Sequence, residues 1–245
     1  MQILKITERL EAMARLAAGA EVLADIGTDH GYLPIHMLQN GLIKSAILTD
    51  VNEWPLDNAR RTLGLVGGGL WDKTDLRLED GLAPLSVGEA DTIVIAGMGG
   101  ELISDILAAA PEKAASAKKL VLQPRTRSGE LRKFLFMNQY FILTEEIVME
   151  NGHLCEIIVA SKEDFGGDAK RYEIVSAEDA DNVELKQFLT SEIGSRLLAI
   201  RPPLFSSFIE HKIDVQKKIA AEAQKGGASD TAELALAKVE ALLAL

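Results

Sequence analysis

Cysteine is almost absent from this 245-residue chain. Cys155 stands alone, which excludes an internal disulfide and a cysteine-rich metal site, and no metal is expected. Its neighbours in HLCEIIVA suggest a buried strand position. Long apolar runs are missing too: no stretch approaches the ~18 consecutive apolar residues of a membrane span. No membrane partner is therefore expected, and the cytoplasm is the expected compartment. Aromatic residues make up 5% of the chain, too few to line a closed apolar pocket well. Positive charge is in deficit, with 26 Lys and Arg against 37 Asp and Glu for a net charge of −11. That balance argues against binding nucleic acid by bulk attraction.

Hydrophobic residues make up 47% of the chain, enough for a sizeable core. The opening MQILKITERLEAMARLAAGA interleaves Lys5, Glu8, Arg9, Glu11 and Arg15 with apolar positions. It reads as an amphipathic helix and not as a signal peptide. Short apolar, β-branched segments then recur as EVLADIG, SAILTDV, TDLRLED, DTIVIAG and KKLVLQP, separated by helical patterns over 32–40, 54–65, 100–110 and 128–138. Strands alternating with helices build βαβ units, and right-handed crossovers give a doubly wound, mostly parallel α/β sheet. Next, YFILTEEIVMENGHLCEIIVA reads as two strands joined by a tight turn at 150–153, with no helix between. A parallel sheet ending in an antiparallel hairpin resembles class I methyltransferases, whereas dinucleotide dehydrogenases lack that hairpin.

After residue 162 the character changes. An acidic, turn-rich stretch suits a linker, and two helices follow at about 203–224 and 230–245, with Ser229 or Asp230 as N-cap of the second. A methyltransferase-type domain over 1–162 and a smaller helical domain over 163–245 are expected.

The chemistry gathers at the strand ends. Asp25 closes the first strand, and Gly27 and Gly31 flank the turn DIGTDHG into the first helix. In such a sheet ligands sit beyond the carboxyl ends of the strands, against backbone N–H groups. Asp50, roughly 20 residues on, suits a carboxylate accepting from two ribose hydroxyls. Asp80, followed by Gly81, can accept from an adenine amino group while its backbone serves a ring nitrogen. Each acid could instead be a turn former or helix cap, but three on successive strands act as a set. A dinucleotide would set its pyrophosphate against Asp25 and Asp29, which repel it. S-adenosylmethionine brings a sulfonium and an ammonium, which carboxylates attract. In IAGMGG, Gly97, Gly99 and Gly100 let backbone approach that cofactor; a turn needed for packing alone is the other reading. The Asn/Asp-Pro-Pro-aromatic tetrad of many nucleobase amino-methyltransferases is absent.

Taken in order, LADIGTDHGYLP, AILTDVNEWPLDNARR, RLEDGL, IAGMGG and LVLQPRT resemble the bacterial tRNA (adenine-22-N1)-methyltransferase family, over about the first 160 residues. The resemblance implies a Rossmann-like domain with a coiled-coil-like helical C-terminal domain, and methyl transfer from S-adenosylmethionine to N1 of a tRNA adenine. It assigns Arg9, Asp25, Gly27, Asp50, Asn52, Asp80, Gly81, Gly97, Met98 and Gly99 to the cofactor. The chain departs from the family at Asp50, where glutamate is common, and matches loosely beyond Asp164.

Within that reading Asp29, nearest the sulfonium, accepts a hydrogen from the adenine amino group. His30 either orients Asp29 or substrate, or caps the next helix. The acidic total also conceals one basic stretch. From Lys118 to Lys133 six cations face Glu130 alone, a local balance of +5. Arg125, Arg127, Arg132 and Lys133 are the expected tRNA phosphate contacts, against the alternative of a solvated, ion-paired helix face. The C-terminal helices offer a second tRNA contact or a dimer interface, so monomer and weak homodimer both stay open. A small-molecule methyltransferase and a non-catalytic binding module are the competing functions.

Overall fold

In the computed structural model, residues 3–163 and 183–245 are described. They fall into two compact units, within Met1–Arg171 and Tyr172–Leu245. The acidic linker expected between them lies, for 164–182, outside the described residues.

The first unit is a seven-stranded sheet in the order β3-β2-β1-β4-β5-β7-β6. The strands are β1 (Val22–Ile26), β2 (Ser45–Asp50), β3 (Thr74–Leu78), β4 (Thr92–Gly99), β5 (Lys119–Thr126), β6 (Phe141–Glu150) and β7 (His153–Ser161). The first five pair in parallel, and β7 runs antiparallel to both β5 and β6. The order reverses between β1 and β4, which opens a crevice at the carboxyl ends of those strands. Continuous apolar runs form the central strands because helices cover both faces. Leu23, Leu48, Val94 and Val121 are wholly buried, each worth about 1.5–3 kcal/mol of burial.

Helix α1 (Glu8–Ala17) precedes the sheet, with the Thr7 hydroxyl accepting from the Leu10 N–H. The crossovers are α2 (Tyr32–Gln39), α3 (Glu53–Val66), α4 (Gly100–Ala109), α5 (Pro111–Ser116) and α6 (Ser128–Met137). Short α5, opened by Pro111 at its first turn, carries too few residues for a helical period and escapes a reading by periodicity. Strand β3 stops at Leu78, two residues short of expectation, which leaves Asp80 in the following turn. Cys155 is half-buried on β7 rather than buried, because that end of the hairpin projects beyond β5, which pairs only with Ile158–Ala160.

Among the described residues the second unit carries α7 (Val183–Phe188), a π-helical turn (Leu189–Gly194), α8 (Ser195–Ile200), α9 (Phe205–Lys225) and α10 (Ser229–Leu243). The segment 183–200 was not foreseen as helix. Helices α9 and α10 pack on each other, and Phe208, Ile209, Ile213, Ala235, Val239 and Leu242 are buried. Ser229 and Asp230 lie inside α10, and its N-cap is Ala228, without a side-chain bond. Among the described residues no helix is long and apolar enough to cross a membrane.

Candidate active site

Parallel register aligns the carboxyl ends of the central strands. Ile26 of β1 stands beside Thr49 of β2 and Ile95 of β4. The chain then turns at Gly27 (φ 73°), and the N–H groups of Gly27 and Thr28 both donate to the Thr49 carbonyl at 2.9 Å. The turn is thereby hooked onto β2. Gly31 (φ 67°) is the N-cap of α2, and a Cβ there would come 2.8 Å from Leu48 Cδ2. Glycine is required because the left-handed backbone and the packed core coincide.

Above this turn lies a pocket of about 360 Å³, lined by Arg9, Asp25, Gly27, Thr28, Asp29, His30, Gly31, Tyr32, Gly97, Met98 and Arg125, with Leu10, Leu33 and Ala96. Asp25 is its buried carboxylate. The Thr28 hydroxyl donates to Asp25 Oδ2 at 2.7 Å. Burial pushes the Asp25 carboxyl up to about 6, further helped by Asp50 and opposed by Thr28 and Arg9. A buried acid held back in this way gains from a cationic ligand. Gly27 and Met98 close on each other: a Cβ on Gly27 would lie 2.1 Å from Met98 Cε. At Gly97 (φ 77°) a Cβ would meet nothing within 4 Å, so the rim is open backbone.

Arg9 is anchored from two sides. Its Nε donates to Glu150 Oε2 at 2.7 Å and its Nη1 to Gln123 Oε1 at 3.2 Å. The same Gln123 oxygen accepts the Gly97 N–H at 3.1 Å. Reading the sequence missed Gln123, Thr28 and Glu150. Gln123 carries a usable signal, since a polar side chain at the end of the buried run KLVLQP needs a partner. Glu150 carries none, as its pairing spans 141 positions of sequence.

Asp29 is 72% exposed, and His30 Nε2 lies 3.6 Å from its Oδ1, beyond hydrogen-bond distance. His30 does not cap α2, whose start has no side-chain cap. Its ring stacks on Tyr32 at 4.9 Å and 8°, and meets Trp54 edge-on at 6.1 Å and 75°.

Asp50, Asn52, Asp80, Gly81 and Gly99 do not line this pocket. Asp50 shares its sheet edge, and its Oδ1 accepts the Asn52 N–H at 2.8 Å, while Oδ2 has no protein partner among the described residues. Asp80 and Gly81 border a second pocket of about 690 Å³ that continues to Leu82, Leu102, Asp105 and Ile106. Gly99 instead ends β4 and is the N-cap of α4.

The basic stretch breaks up in three dimensions. Arg125 and Arg127 are exposed, and Arg127 pairs with Glu101 at 2.7 Å. Lys133 pairs with Glu130 at 2.9 Å, and Lys119 donates to the Leu16 carbonyl. Arg132 overturns the expectation of an RNA contact. Its side chain is 0% exposed, with Nε on Glu145 and Nη2 on Glu156, both at 2.7 Å. It faces the sheet because α6 turns that side inward, and the two hairpin carboxylates supply the charge a buried guanidinium needs.

A methyltransferase-domain family model matches residues 6–158. The chain is 37% identical over 164 residues to the tRNA (adenine(22)-N(1))-methyltransferase of Bacillus subtilis, covering 67% of this chain and 68% of that one. Its fold matches that of a Streptococcus pneumoniae putative tRNA (m1A22) methyltransferase in complex with S-adenosyl-L-methionine. The TM-score is 0.78 at 30% identity, over 97% of this chain and 98% of that one. The crystal structure of the B. subtilis m1A22 tRNA methyltransferase TrmK matches at a TM-score of 0.71 and 29% identity, over 98% and 97%.

Proposed function

We infer that this chain, which belongs to the tRNA (adenine-22-N1)-methyltransferase family, transfers a methyl group from S-adenosylmethionine to N1 of adenine 22 in tRNA. One observation carries the reading beyond kinship. A buried carboxylate, Asp25, and an exposed one, Asp29, face a rim of open glycine backbone in one pocket. Those two carboxylates suit a sulfonium and an ammonium.

When bound, S-adenosylmethionine would supply an electrophilic methyl group, its S–CH3 bond breaking and the neutral thioether S-adenosylhomocysteine leaving. The residues that would hold it follow the sheet edge. Asp25, Gly27, Gly97 and Arg9 take the amino-acid end, Asp50 with Asn52 the ribose, and Asp80 with Gly81 the adenine. The free Oδ2 of Asp50 is suited to a ribose hydroxyl. Gly97, held at its N–H by Gln123, keeps the rim from shifting, and Met98 packs over Gly27.

Adenine N1 attacks through its own lone pair, so no proton need leave first. Asp29 accepts a hydrogen bond from the exocyclic amino group, which raises electron density at N1 and stabilises the cation formed. Such a group acts by placement and charge rather than as an obligatory base. His30 stays with the substrate side of the turn, stacked on Tyr32. Exposed Arg125, on the lining of the same pocket, and Arg127 contact tRNA phosphates; Lys133 takes an outer position. The C-terminal helices serve as a second tRNA contact or as a dimer interface, and the enzyme works in the cytoplasm, where its substrate is.

Incubation with methyl-labelled cofactor and unmodified tRNA, followed by mapping of the modified nucleotide, tests this. Label at N1 of adenine 22 is expected. Transfer to a small molecule, or none with any RNA, would overturn it.

A further inference from the structure

The pocket has an aromatic wall on its outer side that the methyl-transfer chemistry leaves unused. Trp54, the second residue of α3, is 62% exposed, and Tyr32, the first of α2, is 42% exposed. The chain holds only two tryptophans and three tyrosines, so displaying one of each at a single rim needs a reason. His30 joins them, stacked on Tyr32 and edge-on to Trp54. Tyr32 and His30 line the pocket, whereas Trp54 stands outside it. Val51, 57% exposed on the turn before α3, extends the apolar surface.

We propose that Trp54, braced by His30, is a stacking seat for the nucleobase next to the adenine being methylated. The proposal rests on the tRNA methyltransferase reading. A base methylated at N1 must leave its stack, and its neighbour then loses a stacking partner. An open indole at the pocket mouth replaces that partner without reading sequence, because every base offers a π-face. The surrounding charge selects a base over a phosphate. Glu53 and Asp57 lie on the same first turns of α3, and Arg60 is held by both, at 2.6 and 2.7 Å. Backbone phosphates are repelled from this side and belong near Arg125, across the pocket. Trp71, the other tryptophan, is also partly exposed but has no ring neighbour among the described residues, so exposure alone does not single out Trp54.

Trp71→Phe leaves Trp54 as the sole indole reporter. In that protein, saturating unmodified tRNA is expected to quench the indole emission strongly, and free adenosine monophosphate much less. Trp54→Ala is expected to raise KM for tRNA about tenfold, with kcat within twofold and cofactor affinity unchanged, and Trp54→Phe to restore most of the loss. Unquenched emission with tRNA bound, or a KM within twofold in Trp54→Ala, overturns the seat. The fluorescence titration needs no turnover: quenching in a protein that methylates no tRNA supports the seat and removes only the assigned activity.

Discussion

Arg9 and Gln123, 114 positions apart in the chain, meet at 3.2 Å through Arg9 Nη1 and Gln123 Oε1. Because that oxygen also receives the Gly97 N–H, one buried amide ties the N-terminal helix to the glycine rim of the pocket.

Replacing Gln123 by Leu removes this tie and leaves the Gly97 N–H without its side-chain acceptor. The expected outcome is a folded protein with cofactor affinity reduced roughly tenfold or more. Isothermal titration calorimetry with cofactor checks it, and near-native affinity would show that the rim holds itself.

At the other side of the pocket, Gly27→Ala places a methyl group where Met98 Cε now lies and strains a backbone at φ 73°. Cofactor affinity should fall sharply. Met98→Ala in the same protein relieves the clash but not the backbone strain, so the double variant should recover part of the affinity. A double-mutant cycle measures that coupling, and strict additivity would contradict the contact.

Asp29→Ala is expected to lower kcat about a hundredfold with cofactor affinity intact, because the side chain is exposed and, among the described residues, has no polar partner beyond the His30 approach. Single-turnover rates at saturating tRNA read this directly. A loss of only a few fold would remove Asp29 from the chemistry.

The Asp25 carboxyl is pushed up to about 6 by burial, above its value in the unfolded chain. The folded state therefore holds this proton more tightly. The stability it contributes is present at low pH and is lost as pH rises from the ordinary aspartate range through about 6. A bound cation favours the ionised form, so cofactor affinity should drop roughly tenfold per unit below pH 6, and binding near pH 5.5 should release a proton. Asp25→Asn should flatten this dependence, weaken binding at neutral pH and raise the Tm of the free protein at pH 8. Calorimetry in buffers of different ionisation enthalpy, with thermal melts, checks all three.

The cations of the basic stretch should separate by burial. Arg132→Met removes the cation that Glu145 and Glu156 face and is expected to destabilise by about 3–5 kcal/mol, seen as a lowered Tm. Arg125→Glu with Arg127→Glu should leave the melt within a few degrees while weakening tRNA binding and flattening its salt dependence. A melt unchanged in Arg132→Met, or tRNA affinity unchanged in the double variant, would refute the respective half.

Much of the sheet was legible because its signals are local. Apolar runs of strand length between helical stripes, and turn residues at 27–31 and 150–153, mark elements by composition and period alone. Segments without period were lost, such as α5 and the helical turns over 183–200. The site was legible where backbone chemistry shows in the residue type, as with Asp25, Gly27 and Gly97 at strand ends. It was not legible where the pocket's geometry depends on a distant partner. Gln123 reads as one polar residue in an apolar strand until Arg9 and Gly97 are brought to it.

By itself, the sequence determined the alternation of strands and helices in the sheet domain, its doubly wound class with a terminal hairpin, and the acidic character of the cofactor turn. These follow from local periodicity and from the handedness of crossovers. Only the tertiary structure decided which charges stay in water. Arg125 and Arg132 are seven positions apart in one basic stretch, yet Arg125 borders the pocket and Arg132 is sealed between Glu145 and Glu156. Linear charge density carries no information about facing. The desolvation of a guanidinium is tolerated only where folding delivers carboxylates to meet it.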